Sequence, residues 1–293
     1  MDKIVYSEEI RLSIGGITVS IRPEDGIVFG LGSAHKFFLG GGEPDLRLGL
    51  RRYNEDAVGL KSAERSFESG GIWDLYRREG SYIFNSYNDD FGKSPYKTAV
   101  VDEGFASGDI YLNTIPGDDR PAYPFDYPLD EMLMVHMLSS GKGIMIHGCG
   151  IVVGGKGFLF AGTSGRGKST ISDILRKEAG AVILNDDRTI VRRSGAGYNI
   201  YGTPWHGDVD ECSNSTAPLK RIFFIRHADE NYSNSLQAPE AAAQLVARSF
   251  SPMWDKDLMW SVLDFASDIA DKIPSFELGF VPDRTIAQFL HFI

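Results

Sequence analysis

The sequence predicts an α/β fold in two parts. A smaller β-rich domain covers residues 1–125, and a domain of alternating strands and helices built around a glycine-rich loop covers residues 126–293. Two observations carry this reading. Short alternating runs separated by glycine and aspartate turns dominate the first third. The second part places a glycine loop between an apolar run and an amphipathic one.

In the first part, "IRLSIGGITVSI" (Ile10 to Ile21) alternates apolar and polar residues around Gly15-Gly16, a hairpin signal. "YIFNSY", "KTAVVD" and "DIYLNTI" read as further strands. "NDD" at Asn88 to Asp90 reads as a turn. "GLRRYNEDAVGLKSAERSF" carries many charges without a clear period and reads as loop or short helix. The proline- and aspartate-rich stretch "PGDDRPAYPFDYPLD" reads as a linker and holds the domain boundary.

After it, Leu129, Met132, Leu133 and Met137 fall at helical spacing, with a stop at Gly141. "IMIHGCGIVV" and "FLFAG" read as strands that lead into the loop. "STISDILRKEAG" reads as a helix with Ile171, Ile174 and Leu175 on one face and Gly180 at its end. "AVILND" is a short buried strand, and "RTIVRRSGAGYNIYGT" a hairpin. "RIFFIRH" and "FELGFV" are late strands, separated by helical segments around "PEAAAQLVARSF" and "KDLMWSVLDFASDIADKI".

Composition excludes several classes. A chain of 293 residues with 42% hydrophobic and 24% charged residues is a folded globular protein. A net charge of -10 argues against nucleic-acid binding. No apolar run reaches the length of a membrane span, and "MDKIVYSEEIRLSIGG" lacks a leader pattern. Two cysteines, Cys149 and Cys212, make no disulfide framework, so a cytoplasmic location is expected. Any anion site must be locally positive on this acidic chain.

The chemistry concentrates between His147 and Arg188. "GTSGRGKS", Gly162 to Ser169, fits the P-loop pattern G-x-x-x-x-G-K-[ST]. Glycines let backbone N–H groups of Gly162, Thr163, Ser164, Gly165, Arg166 and Gly167 wrap a phosphate chain, with Lys168, Ser169 and Thr170 opening the helix. Lys168 supplies a mobile charge and Ser169 a hydroxyl for Mg²⁺. About twenty residues on, "VILNDDR" ends in two adjacent aspartates. Neighbouring residues at a strand end point in different directions. One carboxylate can therefore hold a metal while the other accepts a proton from an attacking hydroxyl. The same pair also suits a plain turn. "YGTPWHGD" gathers Trp205, His206 and Asp208, which suits either a stacking platform or a turn with a buried Trp. Arg166, Arg188, Lys220, Arg221 and Arg226 are further candidate cations.

"IHGCGIVVGGKGFLFAGTSGRGKST…ILNDDR" resembles the catalytic domain of the HPr kinase/phosphorylase family, which shares its fold with phosphoenolpyruvate carboxykinase. The resemblance covers about Glu131 to Thr203. It implies an HPr-kinase/PEP-carboxykinase-like P-loop domain that uses ATP or GTP and Mg²⁺. It implies Asp186 as catalytic base toward a hydroxyl, Asp187 with Ser169 at the metal, and His147 near the phosphate. His147 in an apolar run reads equally as a satisfied core histidine. The Glu-Ile-Arg-Gly-like run that follows the aspartates in true HPr kinases is replaced by "YGTPWHGD", so the resemblance is to HPr-kinase-like proteins of unassigned substrate rather than to true HPr kinases. The function expected is transfer of a γ-phosphoryl group to a hydroxyl of a protein, peptide or small molecule. The alternatives are a nucleotide-binding regulator or NTPase, and carboxykinase-type transfer to a small acid. The resemblance also raises a homo-oligomer as an expectation.

Overall fold

The computed structural model describes residues 4–113, 121–163, 165–205, 207 and 212–290. They form a mixed α/β protein with a β-rich N-terminal region and large sheets. The chain divides into two compact units, Met1–Ser13 with Ile17–Met134, and Ile14–Gly16 with Val135–Ile293.

The first unit is built on an eight-stranded sheet in the order β2 (Ile10–Ile14), β3 (Ile17–Pro23), β5 (Leu46–Arg52), β10 (Ser107–Leu112), β9 (Lys97–Asp102), β8 (Ser81–Ser86), β7 (Trp73–Arg78) and β6 (Glu64–Glu68). A short pair, β1 (Val5–Tyr6) with β4 (Phe29–Gly30), lies outside it. Gly15 and Gly16 both adopt positive φ, 58° and 70°, as a two-residue hairpin turn needs. The charged stretch read as loop or short helix begins inside β5, which continues to Arg52. Its pattern explains both the miss and the strand. Leu46, Leu48 and Leu50 are buried while Arg47, Arg51 and Arg52 face solvent, and β3 and β10 both pair with it in parallel. A single helical turn, α1 (Glu55–Val58), follows, capped by Asn54, and then β6.

The segment read as a linker is packed in its described part; Pro116–Arg120 lie outside the described residues. Phe125 is buried. Lys97, with no exposed surface, donates its ammonium to the Asp126 carboxylate and, at 3.0 Å, to the Asp126 carbonyl. His35 meets the buried Asp130 carboxylate at 2.8 Å. Two charged anchors therefore hold this stretch to the first unit. The division between units falls inside α2 (Leu129–Ser139), between Met134 and Val135.

The second unit combines two sheets that share the long strands β11 (Ile144–Val153) and β16 (Thr216–His227). The first half of β11 pairs with β14 (Arg188–Ser194), which forms a hairpin with β15 (Gly197–Tyr201). The second half of β11 pairs antiparallel with β12 (Lys156–Ala161) and β13 (Val182–Asn185). β12 runs parallel to β16, and β16 parallel to β18 (Ser275–Phe280), with β17 (Tyr232–Ser235) antiparallel at the edge.

Continuous apolar runs are what a strand covered on both faces requires. In β12 and β16, Phe158, Phe160, Phe223 and Ile225 pack with Ile171 and Leu175 of α3 (Lys168–Ala179) and Ile286 of α6 (Thr285–Phe289). On the other face, Leu159, Ala161, Ile222 and Phe224 pack with Ala241 and Leu245 of α4 (Ala238–Val246) and Val262, Phe265 and Ile269 of α5 (Lys256–Lys272). No helix among the described residues is long and apolar enough to cross a membrane.

Replacing Lys97 with Met would leave the Asp126 carboxylate without its cation. Loss of about 2–3 kcal/mol is expected, less than a fully buried broken pair because Asp126 keeps some solvent contact. Urea unfolding of Lys97→Met checks this.

Candidate functional site

β12 ends at Ala161, and the chain turns through the glycine loop into α3. Gly165 and Gly167 take φ values of 76° and 88°, conformations that side chains rarely adopt. A Cβ on Gly167 would also come 2.5 Å from Phe280 Cζ and 2.9 Å from His227 Cε1. Glycine is therefore demanded twice at this position, by backbone conformation and by close approach. Gly167 caps α3 without a side-chain partner, so the first N–H groups of the helix stay available to an anion.

Lys168 opens α3, yet its side chain is folded back and buried, with 8% exposure. Burying an ammonium requires acceptors. It finds the carbonyl oxygens of Gly162 at 3.0 Å and Thr163 at 3.5 Å, and it lies 3.0 Å from His147 Nε2.

His147 comes from β11, where its cross-strand partner is Arg188 of β14. That register sets the histidine beside Asp187, and Nε2 lies 2.8 Å from Asp187 Oδ1. One nitrogen thus faces both an ammonium and a carboxylate. With a proton on it, Nε2 donates to Asp187. Without one, it accepts from Lys168. Asp187 is also paired with the Arg188 guanidinium, which lies 5.0 Å over the Phe250 ring.

The two aspartates are set by Asn185, which is fully buried. Its Oδ1 accepts the backbone N–H groups of both Asp187 and Arg188 at 2.7 Å, and its Nδ2 donates to the Thr203 carbonyl at 3.0 Å. This turn sends the carboxylates into different settings. Asp186 is nearly closed off, at 2% exposure, and accepts the Gly207 N–H at 2.8 Å. Burial is the largest influence on the Asp187 carboxyl and pushes its pKa up. The hydrogen bond from His147 and the charges of Arg188, His147 and Lys168 together outweigh it and hold the group below the ordinary carboxylate value.

These groups line one cavity of ≈ 360 Å³: His147, Gly165, Gly167, Lys168, Ser169, Thr170, Asp186, Asp187, Gly207 and His227. The expected residues gather there with few exceptions. Gly162 and Thr163 serve through their carbonyls, and Arg166 is exposed with its N–H on the Thr163 carbonyl. Ser164, His206 and Asp208 lie outside the described residues. Trp205 is buried, as a Trp within a turn would be. Arg188 joins the site. Arg226 instead bonds Tyr232 and Glu277, and Arg221 lies over Phe276. Asn185, Gly207 and His227 join the site although the glycine-loop motif does not include them. Asn185 carried a readable signal, an Asx turn immediately before the aspartates.

The family model described as SynChlorMet cassette protein ScmC matches residues 130–280, just over half of the chain. The chain belongs to the ScmC family. The match runs from α2 to the end of β18 and contains the whole site. No curated protein matches the chain.

Two predictions follow from the geometry. Gly167→Ala should lose about 1–3 kcal/mol in urea unfolding, through strain at φ 88° and contact with Phe280. Asp187 has a lowered folded pKa, so its ionised form stabilises the fold above the unfolded value of about 4, and that contribution is lost as pH falls through the folded pKa. Asp187→Asn should therefore be less stable at neutral pH and lose less stability than the parent below about pH 4, measured by urea unfolding across pH.

Proposed function

We propose that the second unit is a P-loop phosphotransferase of the HPr-kinase/PEP-carboxykinase-like type, moving the γ-phosphoryl group of ATP or GTP to a hydroxyl. The observation that carries this reading is the convergence of three elements on one cavity: the glycine loop with its helix start, the folded-back Lys168, and the two carboxylates after β13. A loop alone supports nucleotide binding. Two carboxylates in different environments support chemistry on what is bound.

The donor set suits Mg²⁺. Ser169, Asp186 and Asp187 offer hard oxygen ligands around the cavity. No group of three or more His, Cys, Asp or Glu side chains among the described residues forms a metal cage. A few protein oxygens completed by substrate phosphates are the usual way Mg²⁺ is held. Ser169 and Asp187 would hold the ion, which when bound neutralises phosphate charge.

The chain's own residues supply the remaining roles. Loop N–H groups and the α3 start fix the phosphates, and Lys168 leaves its carbonyl acceptors for phosphate oxygens. Asp186 takes the proton of the acceptor hydroxyl as its oxygen attacks the γ-phosphorus, and the nucleoside diphosphate leaves. The Gly207 N–H on Oδ1 keeps Asp186 oriented in the cavity. A cytoplasmic site of action fits this reading, since nucleoside triphosphates and reduced cysteines belong to that compartment.

The test is incubation of the purified chain with γ-labelled ATP, Mg²⁺ and a lysate of its source. A labelled acceptor should form with the parent and fall at least about 100-fold with Lys168→Ala and Asp186→Asn, while Asp186→Asn keeps nucleotide binding. Label recovered only as free phosphate would replace the kinase reading with an NTPase or nucleotide-dependent regulator. Label on a small carboxylic acid would favour carboxykinase-type transfer.

A further inference from the structure

We propose that His227 is a ligand of the phosphate chain, donating a ring N–H to a polyphosphate oxygen at the Gly167 end of the loop. This rests on the nucleotide reading above and adds a contact that neither the loop pattern nor the family match assigns.

The topology puts the residue there. Ligands of α/β sheets bind beyond the carboxyl ends of parallel strands. β12, β16 and β18 are parallel neighbours, and their carboxyl ends are the glycine loop, His227 and Phe280. His147 and the aspartates approach the cavity from the other side of the loop strand, on β11 and in the turn after β13. His227 therefore supplies the flank of the cavity that the aspartates leave open.

Its setting is that of a ligand-facing group. The imidazole lies against the buried Phe280 ring, with centroids 5.1 Å apart and planes at 32°. That contact fixes the ring on one face. Its edge is turned to the loop, because a Cβ on Gly167 would come 2.9 Å from Cε1 and 3.2 Å from Nε2. The residue is exposed and lines the cavity with Lys168, Ser169 and Thr170. Among the described residues its ring nitrogens make no hydrogen bond to the protein. An imidazole edge aimed at the start of a helix whose N–H groups are uncapped meets the same anion those groups attract. A nucleobase platform would instead present the ring face.

The experiment measures binding of ATP and of inorganic tripolyphosphate, which has no base, to the full chain by calorimetry. The proteins are the parent, His227→Phe, His227→Gln and Lys168→Ala. His227→Phe keeps the stack on Phe280 and removes the donor; it should weaken both ligands about tenfold. His227→Gln retains an N–H donor and should lose less, about threefold. Matching unfolding midpoints would establish that the variants are folded, and His227→Gln carries the test if the Phe variant is not.

Parent-like tripolyphosphate binding by His227→Phe overturns the proposal. If ATP alone then weakens, the ring is a base platform. If Lys168→Ala abolishes binding while both His227 variants match the parent, the nucleotide reading stands and this contact does not. If the parent binds neither ligand, the nucleotide reading fails and takes this contact with it.

Discussion

The second unit depends on where the Lys168 ammonium is buried. A cation with 8% exposure needs acceptors close at hand, and it takes them from the carbonyls of Gly162 and Thr163. Between those carbonyls and Lys168 the backbone takes glycine conformations at Gly165 and Gly167. A further neighbour is His147 Nε2, which ties the loop to β11 and, through Asp187, to the turn after β13. Loop conformation, strand register and aspartate placement thus meet at one ammonium and one ring nitrogen. Since Nε2 can serve Lys168 or Asp187 but not both, the charges around it are balanced rather than locked.

The sheet makes this meeting possible. β11 pairs with β14 over its first half and with β12 and β13 over its second, with a register shift between Gly150 and Ile151. His147 lies just before the change of partners, where β13 ends and β14 begins on the same side. The Gly148 N–H donates to the Asp187 carbonyl, and the Thr189 hydroxyl to the Gly148 carbonyl, closing the gap between the two pairings. The aspartates sit at a seam of the sheet where single backbone bonds and the Thr189 and Asn185 side chains take the place of a continuous ladder.

Local chemistry was the part of the site that could be read directly. The glycine loop, α3 with its Gly180 stop, and "NDD" after an apolar strand are each encoded within a few residues. The contacts that make them a site are long-range. Nothing within "RIFFIRH" marks its final histidine, because the ring that holds it, Phe280, is contributed by β18. Nothing near "IMIHG" states that His147 faces Asp187; that follows from pairing with Arg188 across the sheet. In the first unit, "LRLGLRR" alternates correctly, but its exposed arginines hid a strand that neighbours on both sides complete. The short elements β17 and α6 left too few residues for a period to be seen.

Charge decides what such a cavity can accept. Asp186 and Asp187 bring two negative charges, and Lys168 and Arg188 bring two positive ones, so the site is close to neutral before its histidines are counted. A triphosphate, the ligand proposed for this cavity, would carry several negative charges into that space on a chain of net charge -10. Loop amides and the helix start provide partial charge equivalent to roughly half a unit, which cannot offset it alone. Cations must come from elsewhere. Under the proposed reading Ser169 and Asp187 would hold a divalent ion, which would supply that positive charge where Arg188 and His147 now pair with Asp187. The ion pairs around Asp187 hold two basic side chains, His147 and Arg188, on a single carboxylate, so positive charge at the site is already committed to the protein's own anion.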